Sequence, residues 1–148
     1  MGKVAVIAKP ESVALGLENL MEHELEELGL KIIDRRPSRL TQEDAEQLYD
    51  EIREKPWFND AVRAIQRGPI MAFLVEGGDD VAQVVKDWRG PTFDVEETDS
   101  IRGRLIRAHG KGTDKSLEAA TNYVHSSGGE KEARHEASII FPEHAFAA

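Results

Sequence analysis

The sequence of 148 residues contains no cysteine. Disulfide bonds and cysteine-ligated metals are therefore excluded, and a chain without cysteine fits the cytoplasm most easily. Long hydrophobic runs are also missing. The longest, at 70–75 and 137–141, are far shorter than the roughly 20 residues that a membrane helix needs. The first ten residues have the pattern of a strand and not of a secretory signal. We therefore expect a cytoplasmic protein with no membrane segment.

Positive charge is in short supply, with 19 basic against 28 acidic residues and a net charge of −9. A protein that mainly coats nucleic acid carries the opposite excess, so a nucleic-acid partner is not expected. Five basic residues nevertheless lie between Arg102 and Lys115, where Asp114 is the one acid. This basic patch indicates either a contact with a phosphate group or a helix that pairs with the acidic first helix.

Several common site motifs are absent as well. The sequence has no GxxxxGK[ST] phosphate loop, no GxGxxG fingerprint and no HExxH spacing, so we predict no metal held by the protein. Without cysteine, nucleophilic chemistry is left to histidine, carboxylate and hydroxyl groups. Of the histidines, His23, His135 and His144 have charged or terminal surroundings and are interpreted as surface residues.

His125 has a different setting. It ends the short apolar segment 122–124 and is followed by the Ser/Gly turn 126–129. A histidine where a strand enters a turn can be fixed by its neighbours and stay open to a ligand. Glu136, on the next predicted helix, is expected to reach the imidazole through Ser127 and to orient it.

Apolar spacing and turn residues predict one domain over residues 1–148, with strands and helices in alternation. We predict strands at 3–9, 31–36, 69–76 and 122–125, and helices at 12–28, from 41 to about 52, and at 59–68, 79–88, 101–108 and 130–140. Two strand–helix–strand halves of this kind predict an α+β fold, the ferredoxin-like split βαβ sandwich of one antiparallel sheet with helices packed on it.

A series of short motifs, in their order and separation, resembles the nucleoside diphosphate kinase family over nearly the whole chain. Each motif alone is weak, and the set is specific. The motifs are Ala8-Lys9-Pro10-Glu11, Tyr49 with Lys55-Pro56-Trp57-Phe58, Gly68-Pro69, Glu76-Gly77, Gly90-Pro91-Thr92, Ile101-Arg102-Gly103, and Asn122-Tyr123-Val124-His125-Ser126-Ser127 with Glu136.

The resemblance implies a ferredoxin-like domain that assembles as a homo-oligomer, a hexamer or tetramer built from dimers. It also implies a ping-pong kinase. In this reaction a nucleoside triphosphate gives its γ-phosphoryl group to His125, and the phosphohistidine gives it to a nucleoside diphosphate. Mg²⁺ would arrive with the nucleotide and bridge its phosphates. Such a transfer needs positioning and charge neutralisation more than covalent chemistry from the protein.

The resemblance also assigns the site. Trp57 falls where an aromatic residue stacks on the base, and Lys86 falls where the family has an arginine that touches the phosphates. Ser127 and Glu136 fall on residues that orient the histidine. The positions that hold the phosphates or ribose and place His125 correspond to Lys9, Tyr49, Thr92, Arg102 and Asn122.

The chain departs from the usual family pattern at several places. Glu11-Ser12 stands for Asp-Gly, Leu15 stands for an arginine, and the loop before Ile101 is about one residue short. In addition, 126–129 reads Ser-Ser-Gly-Gly for Gly-Ser-Asp-Ser, and the stretch between Arg102 and Asn122 is longer than usual. The last two departures favour the alternative function, a weak or inactive nucleotide-binding member of the same fold. The extra segment, 108–116, could form a subunit interface or a lid over the phosphates, and we favour the interface.

Overall fold

The computed structural model describes residues 2–91, 97–111 and 122–144. Within them the predicted alternation of strands and helices is confirmed. The strands are β1 (Gly2–Ala8), β2 (Lys31–Ser38), β3 (Ile70–Gly77) and β4 (Val124–Ser126). The helices are α1 (Pro10–Ala14), α2 (Glu18–Glu27), α3 (Gln42–Leu48), α4 (Phe58–Ile65), α5 (Val81–Arg89), α6 (Ile101–His109) and α7 (Glu130–Ile140), with a 3₁₀ turn at Asp50–Ile52.

The four strands form one sheet in the order β2-β3-β1-β4, and every neighbouring pair is antiparallel. In each half the two strands joined through helices are separated by a strand from the other half, which is the arrangement of the split βαβ sandwich. The predicted fold class is therefore confirmed. β1 lies between β3 and β4, and its Ile7 is paired with His125.

Helices cover both faces of this sheet, so β1 is buried on both sides. Val4 and Val6 join an apolar cluster with α2, α5 and α6, whereas Ala5 and Ile7 join a second cluster with α3, α4 and α7. A strand covered on both faces has a continuous apolar sequence and not an alternating one, as residues 4–8 show.

The single helix predicted over 12–28 is wrong, because the structure has two helices there. α1 ends in a Schellman motif: Gly16 N–H donates to the Val13 carbonyl over 3.0 Å and Leu17 N–H to the Ser12 carbonyl over 2.9 Å. Gly16 adopts φ +70°, which a continuing right-handed helix does not allow. The apolar spacing continues through this break, so periodicity alone could not reveal it.

The second predicted helix is also shorter than expected. Thr41 caps α3 as the sequence indicates, since its hydroxyl accepts from Asp44 N–H at 3.1 Å. α3 ends at Leu48, however, and the 3₁₀ turn takes the chain to Ile52. Among the residues described, we find no helix with the length and apolar character that crossing a bilayer requires.

The break at Gly16 makes a testable prediction about stability. Gly16→Ala should lower the free energy of unfolding by about 1–2 kcal/mol, because alanine is strained in the left-handed region. Urea denaturation measures this loss. Gly128→Ala is the matched control: both glycines have open space where a Cβ would lie, but Gly128 lacks the positive φ. A Gly16→Ala variant as stable as the control would contradict the two-helix description.

Candidate active site

His125 lies on the edge strand β4 and is 8% exposed. Its Nε2 is hydrogen-bonded to a carboxylate oxygen of Glu136, which is 1% exposed on α7. The turn after β4 leads directly into α7, which packs back against β1 and so presents Glu136 to the imidazole. A buried carboxylate at one ring nitrogen fixes the orientation of the ring and leaves the other nitrogen, Nδ1, for a ligand.

The predicted role of Ser127 as a bridge is wrong, because Glu136 contacts His125 directly. Ser127 is fully buried, and its hydroxyl has no hydrogen-bond partner among the described residues. The turn after β4 places the Glu136 carboxylate close enough to His125 to need no intermediary.

Tyr49 packs against His125 edge to face, with 5.3 Å between ring centroids at an interplanar angle of 77°. The ring is 8% exposed, and burial raises the pKa of the Tyr49 hydroxyl above its usual value. The hydroxyl therefore stays protonated and can donate a hydrogen bond.

Lys9 follows β1 and is 2% exposed. Its Nζ donates to the Asn122 side-chain carbonyl over 2.9 Å. Burial lowers the pKa of Lys9 to about 8, with Glu11 opposing the shift and Arg102 adding to it. Protonation of a buried lysine is costly, and a bound anion lowers that cost. The burial of Lys9 therefore favours the binding of an anion.

Arg102 is a second buried cation, 4% exposed at the start of α6. It donates to the Val124 carbonyl from Nη2 at 2.7 Å and from Nε at 3.2 Å. Its Nη1 donates to the carbonyls of Gly90 at 3.1 Å and Pro91 at 3.2 Å. Burial lowers the pKa of this guanidinium, but arginine remains charged in proteins. Arg102 thereby joins the segment after α5 to the strand of His125.

Tyr123, two residues before His125, has a left-handed backbone with φ 73°. For a residue other than glycine this costs about 1–3 kcal/mol and persists only where the surroundings enforce it. Its carbonyl accepts from Lys9 N–H at 3.0 Å and from the Ser12 hydroxyl at 2.6 Å. Its N–H donates to Glu11 Oε2 at 3.0 Å. The segment that leads into His125 is therefore held from several sides.

Two other predicted site residues, Trp57 and Lys86, are exposed, and the remaining ones are not described by the structure. Trp57 is 38% exposed, with Lys55 Nζ 5.8 Å from its ring centroid. Lys86 is exposed on α5. Thr92 lies outside the described residues, as does the segment 112–121, which includes much of the predicted 108–116 insertion.

Two residues of the basic patch have different surroundings in the structure. Arg104 pairs with Glu24 of α2 through hydrogen bonds of 2.6 and 2.8 Å, as the helix-pairing interpretation requires. Arg102, two residues earlier, turns into the site. His23 and His135 are exposed, as interpreted from the sequence.

Sequence reasoning missed Ser12, Tyr123 and Arg89. Arg89, the last residue of α5, donates to Ser126. Its only sequence signal is its place before Gly90-Pro91, and a basic residue at a helix end usually has a solvent-facing role.

A group away from His125 has ligand atoms within 4.8 Å of one another, from Asp34, Glu143 and His144. Arg36 contacts both carboxylates, so their charge is already compensated by a cation of the protein.

Comparison with known proteins agrees with this geometry. The family model described as nucleoside diphosphate kinase matches residues 3–146. The chain belongs to this family. A nucleoside diphosphate kinase of Saccharolobus islandicus is 32% identical over 142 residues, 95% of each chain. One from Ignicoccus hospitalis is 32% identical over 142 residues, 95% of this chain and 89% of the relative.

Solved structures show the same relationship. The nucleoside diphosphate kinase of Aquifex aeolicus is 30% identical and has a TM-score of 0.79, covering 95% of this chain and 94% of its own. That of Encephalitozoon cuniculi, 18% identical with a TM-score of 0.81 and coverage of 100% and 94%, shows the shared fold. As a nucleoside diphosphate kinase family member, the chain is an enzyme that acts on nucleotides.

The burial of Lys9 predicts a pH-dependent cost to folding. Because the folded pKa is about 8 against 10.5 for an ordinary lysine, the unfolded state takes up the proton first as the pH falls. The cost grows from pH 10.5 to 8 and is fully present below, at roughly 3 kcal/mol. Lys9→Met removes this cost along with the bond to Asn122.

We therefore expect Lys9→Met to gain stability relative to the unmutated protein between pH 10.5 and pH 7, by roughly 2–3 kcal/mol. Urea denaturation without nucleotide at both pH values measures it. Lys131→Met, at an exposed lysine on α7, should show no such change with pH. A Lys9→Met difference that is independent of pH would refute the assigned burial cost.

Proposed function

We propose that this enzyme transfers the γ-phosphoryl group of a nucleoside triphosphate to a nucleoside diphosphate by a ping-pong reaction through His125. One observation carries the proposal: the buried hydrogen bond between Glu136 and Nε2 of His125, which leaves Nδ1 as the nucleophile. Family membership and the two buried cations, Lys9 and Arg102, support it.

In the first half-reaction Nδ1 attacks the γ-phosphorus. The Nδ1–P bond forms, the bond from phosphorus to the β–γ bridging oxygen breaks, and the nucleoside diphosphate leaves with that electron pair. The imidazole gains positive charge, which the Glu136 carboxylate stabilises through the proton on Nε2. In the second half-reaction the terminal oxygen of another nucleoside diphosphate attacks the same phosphorus and His125 is released.

The cations act where negative charge develops. Lys9 and Arg102 neutralise the transferring group, and Tyr49, Asn122, Thr92 and Lys86 complete the contacts to the phosphates and ribose. Mg²⁺ would arrive with the nucleotide, and the phosphates of the nucleotide would hold it. Two carboxylates of the site already have hydrogen-bond partners in the protein, since Glu136 is bonded to His125 and Glu11 accepts from the Tyr123 N–H. This supports a metal ion held by the nucleotide and not by these side chains. The oligomeric state and the cytoplasmic location stay predictions from the sequence.

The first test concerns the nucleophile. His125→Gln should abolish phosphorylation by γ-labelled ATP and lower turnover by orders of magnitude, because no other group can form the intermediate. The unmutated protein should carry a base-stable, acid-labile label, and its alkaline hydrolysate should contain the Nδ1 isomer of phosphohistidine. His135→Gln, at an exposed histidine, should behave normally. Normal turnover in His125→Gln would disprove the mechanism.

A second test concerns the base. Trp57→Ala should weaken the binding of adenine, guanine and cytosine diphosphates alike, by about 1–3 kcal/mol, because every base offers a face for stacking. Isothermal titration of the three nucleotides gives the dissociation constants. Loss confined to one base, or no loss, would mean that Trp57 does not stack. Gln66→Ala, at a half-buried residue just after α4, is the control.

A further inference from the structure

Arg89 ties the end of α5 to the residue that follows the nucleophile. Its Nη1 donates to the Ser126 carbonyl at 2.9 Å and to the Ser126 hydroxyl at 3.2 Å. Its Nε donates to the Gly90 carbonyl at 3.2 Å. One guanidinium thus joins the end of α5, the residue after it and the last residue of β4. The hydroxyl that it contacts belongs to Ser126, at a position where the family usually has glycine.

Arg89 interacts electrostatically with acidic side chains, one of which is hydrogen-bonded to His125. Glu136 and Glu51 are the acids that stabilise its charge, while burial lowers the pKa of the guanidinium. Glu136 is almost fully buried, and within the described part of the chain its hydrogen bond goes to His125. A buried carboxylate needs a nearby positive charge to remain ionised at low cost, and Arg89 supplies one.

We propose that Arg89 is a positioning residue for phosphoryl transfer, which clamps Ser126 and holds the charge of Glu136 so that His125 keeps its reactive orientation. This inference rests on the proposed role of His125. Arg89 is hydrogen-bonded to Ser126, the residue after His125, and it stabilises the charge of Glu136, which is itself hydrogen-bonded to His125. These contacts assign Arg89 a role that acts through His125, and the binding measurement below separates that role from one as a nucleotide ligand.

The test separates the chemical step from binding. In Arg89→Met, the single-turnover rate of His125 phosphorylation at saturating ATP should fall about 10- to 100-fold, as misplacement of a reacting group does. The dissociation constant for ADP should stay within about threefold, since a positioning residue does not touch the nucleotide. Arg89→Lys keeps the charge without the fork and should have an intermediate rate. Arg63→Met, at an exposed arginine paired with Asp60 on α4, is the control.

A chemical-rescue experiment adds a measurement that would not change if Arg89 had a purely structural role. Arg89→Ala should regain part of its phosphorylation rate when guanidinium ion is added at low millimolar concentration, and Arg63→Ala should show no gain. If Arg89→Met does not fold, the rate of Arg89→Lys and this rescue carry the test.

The possible failures are distinct. Weaker ADP binding with an unchanged rate at saturation would make Arg89 a nucleotide ligand and overturn the proposal. An unchanged rate and unchanged binding would also overturn it, as would a loss of rate that neither lysine nor guanidinium restores. If the unmutated protein carries no label at His125, the proposed function itself fails.

Discussion

The short antiparallel ladder between β1 and β4 is the constraint on which the site depends. Only three residue pairs form it, Val6 with Ser126, Ile7 with His125 and Ala8 with Val124. β1 is packed on both faces and is therefore held rigidly in the core. Because the three-residue strand β4 is paired with β1, β4 is held in place as well. Lys9 leaves the end of β1 just where the chain enters β4, so His125 and a buried cation come from neighbouring strands.

The site around this ladder contains two buried cations in a protein that is acidic overall. Lys9 donates to the Asn122 side chain and Arg102 donates to main-chain carbonyls, and burial lowers the pKa of both groups. Burial of these charged groups makes folding more costly, and an anion that binds only the folded state would offset that cost. The net charge of the chain says little about such a site. It sums all charged residues, whereas these two cations are buried together in one place.

Sequence reasoning predicts the fold well but predicts individual side-chain contacts poorly. The order of elements, the bounds of α7 and the pairing of His125 with Glu136 follow from periodicity, caps and family motifs. The break at Gly16 does not, because apolar spacing continues through it. The direct contact of Glu136, which replaces the expected bridge through Ser127, depends on the path of one turn. Arg89 went unnoticed because a basic residue at a helix end has an ordinary explanation until its acceptors are seen.

The hydroxyl of Tyr123 donates to the carbonyl of Gly110, the residue that ends α6. Both ends of the connection between α6 and β4 are thus fastened to each other, independently of what lies between them. Lengthening a connection with fixed ends costs only the slowly growing entropy of loop closure, about 0.6 kcal/mol for each doubling. Evolution could therefore insert residues here without shifting Arg102 on one side or His125 on the other. The fastening makes this connection a permissive place for variation, although it lies immediately beside Arg102 and His125.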